Sequence, residues 1–262
     1  MLNRLKSVFS KSASASMAGV SVTGLHPDRP FFAIGDVHGC HTKMNTVLHK
    51  IAADRTASDL DEAALVFMGD FVDRGPDSAS VLREVRAAQV AAPQDVICLI
   101  GNHELMMQSF LEDPLGRGLR WLGFGGQETL RSFDIAPVSA KADGEAIMDA
   151  ADALEDCLTV EGLLDWLRDQ PLSWQSGNVL CVHAGLDPDL SPENHRPNHF
   201  AWGHRDFLTR PRNDGLWVVH GHTITKRPSC SDGRIAVDTG AFKGGKLTAA
   251  AVSKGKCRFL QS

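Results

Sequence analysis

Short apolar runs recur along the chain and read as β-strands: Phe31–Ile34, Leu65–Met68, Val96–Ile100, Val179–Val182, Leu216–Val219, Ile235–Val237 and Leu247–Val252, with Cys257–Leu260 as a last candidate. They are nearly continuous rather than alternating, the pattern of strands covered on both faces. Between the first three lie segments of helical spacing. In Lys43–Ala53, Met44, Val47, Leu48 and Ile51 share one face, and Ser78–Gln89 is introduced by Pro76 and Asp77. The expected order is β-α-β-α-β, with crossovers of the length that parallel pairing requires. From Leu105 to Gln170 strand-like runs give way to helical periodicity, in Ala140–Cys157 and Glu161–Arg168, closed by Pro171. No Pro/Gly/Ser linker isolates this stretch, so it reads as a helical insertion (about 105–170) within one domain spanning 29–262. Residues 1–28, with Arg4, Lys6 and Lys11 among Ser, Ala and Met, read as a flexible N-terminal segment.

The polar residues that follow the apolar runs carry the chemistry. Gly35-Asp36-Val37-His38-Gly39, Gly69-Asp70-Phe71-Val72-Asp73-Arg74-Gly75, Gly101-Asn102-His103-Glu104, Val182-His183-Ala184-Gly185 and Gly221-His222-Thr223 each sit at or just after a strand. Open α/β sheets build their sites on the loops at the carboxyl ends of strands. Carboxylate, amide oxygen and imidazole together suit borderline or hard divalent cations such as Mn, Fe and Zn. Asp36 and His38, two residues apart, suit one ion; Asp70 suits a bridging carboxylate; Asn102, His183 and His222 complete a second ion. Two such ions, ~3.5–4 Å apart, would hold a bridging hydroxide at neutral pH. With only two aspartates and that hydroxide against them, the centre stays net positive and attracts phosphate.

His103 is placed as a general acid for an alkoxide leaving group, with Asp73 orienting and charging its ring. Arg74 offers a guanidinium fork to phosphate oxygens. His220 lies two residues before His222 and reads as a core histidine or an indirect support for the metal site. Asp238 reads as a turn-former, and Trp121 and Trp202 read either as groove walls or as packing residues.

The strings GDVHG, GDFVDRGP, GNHE, HAG and GHT, with Ile235–Ala241 near the end, resemble the calcineurin-like metallophosphoesterases, and within them the bacterial and phage serine/threonine phosphoprotein phosphatases. The resemblance runs from about Phe31 onward and includes Trp121–Leu130. It implies a four-layer α-β-β-α sandwich, with one metal on Asp36, His38 and Asp70, and the other on Asp70, Asn102, His183 and His222. It also implies an acid pair of His103 and Asp73, and substrate contacts from Arg74 and Asn102. In one place the chain departs from the pattern. Relatives carry a second phosphate-binding arginine in a Trp-x-Arg segment, whereas Trp202-Gly203-His204-Arg205 puts His204 there and Arg205 one residue later. Arg205 either replaces that guanidinium or is an ordinary rim arginine.

Serine/threonine protein phosphatase is the activity expected, with two divalent ions, manganese favoured, and a phosphoprotein or small phosphoester as substrate. Symmetric dinucleoside tetraphosphate hydrolysis is the first alternative, and a non-catalytic interaction protein on the same scaffold the second. A formal charge of −5 over 262 residues argues against a nucleic-acid or anionic-membrane binder. Six scattered cysteines without a Cys-x-x-Cys pair suit a reduced, cytoplasmic protein. The sequence sets no oligomeric state.

Overall fold

In the computed structural model, residues 20–262 are described. Most of the segment expected to be flexible, residues 1–19, lies outside them. Its remainder belongs to the fold, because β1 (Val20–Ser21) pairs antiparallel with β11 (Lys256–Gln261) and Val22 and Leu25 are buried.

The strands form two sheets. The first carries β2 (Phe31–Ile34), β3 (Ala64–Phe67) and β4 (Val96–Cys98) in parallel, extended antiparallel by β10 (Thr248–Ser253), β11 and β1. The second carries β6 (Val179–Val182), β7 (Trp217–His220) and β9 (Arg234–Ala236) in parallel, flanked antiparallel by β5 (Ser173–Ser176) and β8 (Ser229–Ser231). The helices are α1 (His41–Ser58), α2 (Ser78–Ala91), α3 (Asn102–Glu112), α4 (Gly126–Ser132), α5 (Gly144–Val160), α6 (Leu163–Arg168) and α7 (Pro197–Trp202).

Alternation along β2 explains the layering. Phe31 and Ala33 point between the sheets, where they meet Val66, Val179, Cys181, Val219 and Ile235. Phe32 and Ile34 point the other way, into a cluster with Val47, Leu82, Phe110 and Leu154 from the helices. Both faces are apolar because both are covered. On its outer side the second sheet meets Leu186 and Phe207 from the long connection after β6 rather than a full set of helices, so the sandwich is asymmetric.

The helical insertion shares this core: Met106, Leu154, Leu158, Leu164 and Leu167 are buried in the same cluster as the strands. It begins earlier than its apolar periodicity suggests, since α3 starts at Asn102. The strands without an apolar signature, β5 and β8, are sheet edges, β5 half-buried and β8 largely exposed. Among the described residues no helix is long and apolar enough to cross a membrane.

Because Leu154 is fully buried in the shared cluster, Leu154→Ala should cost about 2–5 kcal/mol of unfolding free energy in one cooperative urea transition. A loss below about 1 kcal/mol, or a separate early transition, would mean that the insertion folds apart from the sheets.

Candidate metal centre and active site

The carboxyl ends of parallel strands from both sheets meet at one edge of the sandwich. His183, after β6, donates Nδ1–H to the Met68 carbonyl after β3 at 2.8 Å, and the His222 amide donates to the Asp36 carboxylate at 3.0–3.1 Å. Glycine allows this closeness: a Cβ on Gly101 would lie 2.2 Å from Asp70 Oδ1, and one on Gly221 2.0 Å from Asp36 Oδ1. His38, Asp70, Asp73, Arg74 and His222 all take positive φ, between 44° and 73°. Such conformations cost on the order of 1–3 kcal/mol each and persist only where the surroundings enforce them.

Asp70 is the hub. Its Oδ2 lies 3.5 Å from His38 Nε2 and 3.4 Å from His183 Nε2, and its Oδ1 accepts the His103 amide at 3.0 Å. Two groups of donors result, His38–Asp70–His103 and Asp70–His183–His222, each with its ligand atoms within 4.8 Å of one another. Asn102 joins the second: its Oδ1 is 3.0 Å from His183 Nε2 and 2.9 Å from His222 Nδ1. Asp36 stands beside the second group, where its carboxylate accepts the His222 amide.

The arrangement of the ring nitrogens suits this cluster to cations. His38 and His183 each spend Nδ1 on a backbone carbonyl, Val72 and Met68, so Nε2 is the nitrogen turned toward Asp70. In the neutral ring that nitrogen carries a lone pair, and a lone pair facing a carboxylate oxygen is repelled by it unless a proton or a metal lies between them. Without metal, His183 takes the proton. Burial opposes its charge, but Asp70 outweighs burial and lifts the ring to about 10. His38 and His222 stay neutral, lowered chiefly by burial to about 3 and about 4. Burial and the neighbouring Asp238 charge raise the Asp36 carboxyl, whereas the histidines hold Asp70 low despite its burial. A divalent ion would relieve both the carboxylate repulsion and the facing lone pairs, so the donor set fits.

His103 is held differently. Its Nδ1 donates to Asp73 Oδ2 at 2.6 Å, leaving Nε2 toward the cluster, with the ring packed edge-on against His38 at 4.7 Å. Burial opposes its charge, but Asp70 and Asp73 outweigh that and raise it above the ordinary histidine value. Arg74 stacks on Phe242 at 4.5 Å with Nη1 3.2 Å from His38 Nε2, and it has no carboxylate partner among the described residues.

Residues 29–226 match the family described as calcineurin-like phosphoesterase. The chain belongs to that family. Among its phosphoesterase relatives is a symmetrical bis(5'-nucleosyl)-tetraphosphatase of Janthinobacterium sp. (strain Marseille), 35% identical over 61% of the chain. The chain spans less than half of that relative, 45% of its length. The asymmetrical bis(5'-nucleosyl)-tetraphosphatase PrpE of Halalkalibacterium halodurans is 28% identical over 84% of the chain and 88% of its own length. A cold-active protein-tyrosine phosphatase of a psychrophilic Shewanella has the same fold, with TM-score 0.56 and 19% identity over 90% of the chain and 83% of its own.

At the rim, the Arg205 side chain is 88% exposed, and its one ion pair among the described residues is with Asp206 at 3.8 Å. His204 instead faces Asp187, 3.6 Å away. His220 packs edge-on against Phe207 and donates to the Gly221 carbonyl, a core histidine outside the cation groups. Asp238 caps its own turn by accepting the Gly240 amide.

Three supporting residues have no role in the motif reading. The Glu104 carboxylate, fully buried, accepts four backbone amides, from Asp70, Phe71, Val72 and Gly101, at 2.7–3.1 Å. Burial pushes it up to about 7 against the pull of those amides. Trp121 Nε1 and Thr129 Oγ1 donate to Asp73, fixing the carboxylate that orients His103. Sequence spacing marks Glu104 only as part of the Asn-His-Glu string, because its partners are amides that any residue supplies.

Glu104→Gln would turn an amide NH2 toward amides that now meet a carboxylate oxygen. It should lower the melting temperature and weaken divalent-metal binding by about tenfold or more, read by thermal unfolding and metal titration calorimetry. Wild-type values in both would remove Glu104 from the architecture of the site.

Proposed function

We propose that the chain is a two-metal hydrolase that cuts dinucleoside tetraphosphates symmetrically at a phosphoric anhydride. The observation that carries the hydrolase reading is Asp70, shared between two donor groups, one of which includes His103, itself paired with Asp73. The choice of substrate rests on the 35% identity to a symmetrical tetraphosphatase, which favours this alternative over the protein phosphatase that the motifs suggest. Protein phosphatases enter only as distant likenesses of fold.

One ion would be held by Asp36, His38 and Asp70, and the other by Asp70, Asn102, His183 and His222. When bound, such a pair polarises phosphoryl oxygens and makes water ionisable near neutral pH. The chain's own groups supply the rest. Arg74, without a carboxylate partner among the described residues, is available to grip non-bridging oxygens. Phe242 beneath it fixes the plane of the guanidinium. Asn102 orients both the second ion and the phosphate beside it.

His103 presents Nε2 to the leaving oxygen, while Asp73 fixes the tautomer and keeps the ring charged. Trp121 and Thr129 leave Asp73 little freedom to turn away. The demand on the acid depends on what leaves. An alkoxide must be protonated; a nucleoside diphosphate or nitrophenolate is already a weak base.

Diadenosine tetraphosphate and a phosphoserine peptide, offered separately with Mn²⁺, test the substrate. The nucleotide should turn over faster and give ADP as the single product. ATP with AMP would mean the asymmetric cut, and preference for the peptide would restore the phosphatase reading.

His103→Asn should slow alkyl phosphate hydrolysis by about a hundredfold or more while slowing p-nitrophenyl phosphate far less. Equal losses on both would give His103 another task. Because Asp70 and Asp73 hold His103 above the usual imidazole value, activity on alkyl phosphates should fall on its high-pH limb as the ring loses its proton. Asp73→Asn removes one stabilising charge, so that limb should move to lower pH; an unmoved limb would mean another group controls it.

A further inference from the structure

At the mouth of the site, Arg120 lies between two exposed aromatic rings: its guanidinium carbon is 4.9 Å from the centre of Trp202 and 5.5 Å from that of Phe124. Trp202 is 37% exposed and Phe124 47%. The two rings share one cation, which makes a single aromatic and cationic surface. Among the described residues Arg120 makes neither an ion pair nor a hydrogen bond, so its charge is uncommitted. The other tryptophan near the centre, Trp121, is fully buried against Asp73.

The trio joins the two halves of the sandwich across the opening. Arg120 and Phe124 belong to the helical insertion, and Trp202 ends α7 on the far side. Both ends adjoin residues of the candidate centre. The carbonyl of Gly125, next to Phe124, accepts the Arg74 amide at 3.4 Å. Trp202 lines a cavity of about 220 Å³ together with His222, Thr223, His204 and Arg205. A ligand whose phosphates sit at the metal centre would therefore lay its next group against this wall.

We propose that Arg120, Trp202 and Phe124 form a base-stacking subsite that binds the purine of a nucleotide whose phosphates occupy the centre. The proposal rests on the dinucleotide reading for the source of that base. An aromatic face recognises the π-face of a base, and a guanidinium stacks on a base while neutralising nearby phosphate. An acidic or apolar peptide would match one half of this surface but not both. The trio could instead serve only to staple the insertion to α7, in which case removing a ring would loosen the fold without distinguishing ligands that carry a base from those that do not.

Binding of ADP and of inorganic pyrophosphate to the Mn²⁺-loaded protein, measured by calorimetry, separates these roles, because the two ligands share the diphosphate and differ in the nucleoside. ADP should bind about tenfold or more tightly than pyrophosphate. Trp202→Ala and Arg120→Ala should bring the ratio close to one, Trp202→Phe should keep most of it, and the KM for diadenosine tetraphosphate should rise in step with the loss. Equal binding of the two ligands by the wild type, or an unchanged ratio in Trp202→Ala and Arg120→Ala, would overturn the subsite. Turnover of diadenosine tetraphosphate by the same preparation would then show the substrate reading still standing. A ratio that responds to the substitutions in a protein that spares diadenosine tetraphosphate would keep the subsite and remove that substrate.

Discussion

One carboxylate buried between two imidazoles organises this molecule. Asp70 Oδ2 lies 3.4–3.5 Å from the Nε2 atoms of both His38 and His183, whose other nitrogens are committed to backbone carbonyls. Such an arrangement is electrostatically unfinished without positive charge between the partners. In the metal-free protein the buried His183 supplies it by holding a proton to about 10. Two divalent ions would supply it better, and would answer the crowding of Asp36, Asp70 and Asp238 as well.

Holding Asp70 there constrains the fold around it. The chain turns through left-handed conformations at Asp70, Asp73 and Arg74, and Glu104 gathers the amides of Asp70, Phe71, Val72 and Gly101 to keep those turns in place. A carboxylate with four amide donors is thus a structural counterpart to the neighbouring carboxylates of the candidate cation site. The sandwich provides the frame: parallel strands in two facing sheets aim their carboxyl ends at a common edge. The helical insertion then contributes Trp121 and Thr129, which fix Asp73. The insertion is therefore part of the candidate site as well as of the core.

Much of this was legible in the sequence. Apolar runs marked β2, β3, β4, β6, β7, β9, β10 and β11 to within a few residues, because burial on both faces leaves no polar position to blur them. β5 and β8 were silent for the opposite reason: Ser173–Ser176 and Ser229–Ser231 are sheet edges with little to bury. The start of α3 was hidden because Asn102 and His103 read as a polar loop, although they form a helix's first turn. Motif spacing brought out Asp36, His38, Asp70, Asn102, His183 and His222, which the fold draws together. Glu104 and Thr129 work through amides or through another side chain, contacts that no spacing rule encodes. Arg205, which the motif left open between a phosphate contact and a rim arginine, is an exposed residue paired with Asp206.

Metal stoichiometry in the wild type and in Asp70→Ala, by equilibrium dialysis and elemental analysis, bears most directly on the shared carboxylate. Wild type should hold two divalent ions per chain, and loss of the bridge should weaken both together. A single ion in the wild type, or two retained after the substitution, would contradict the account.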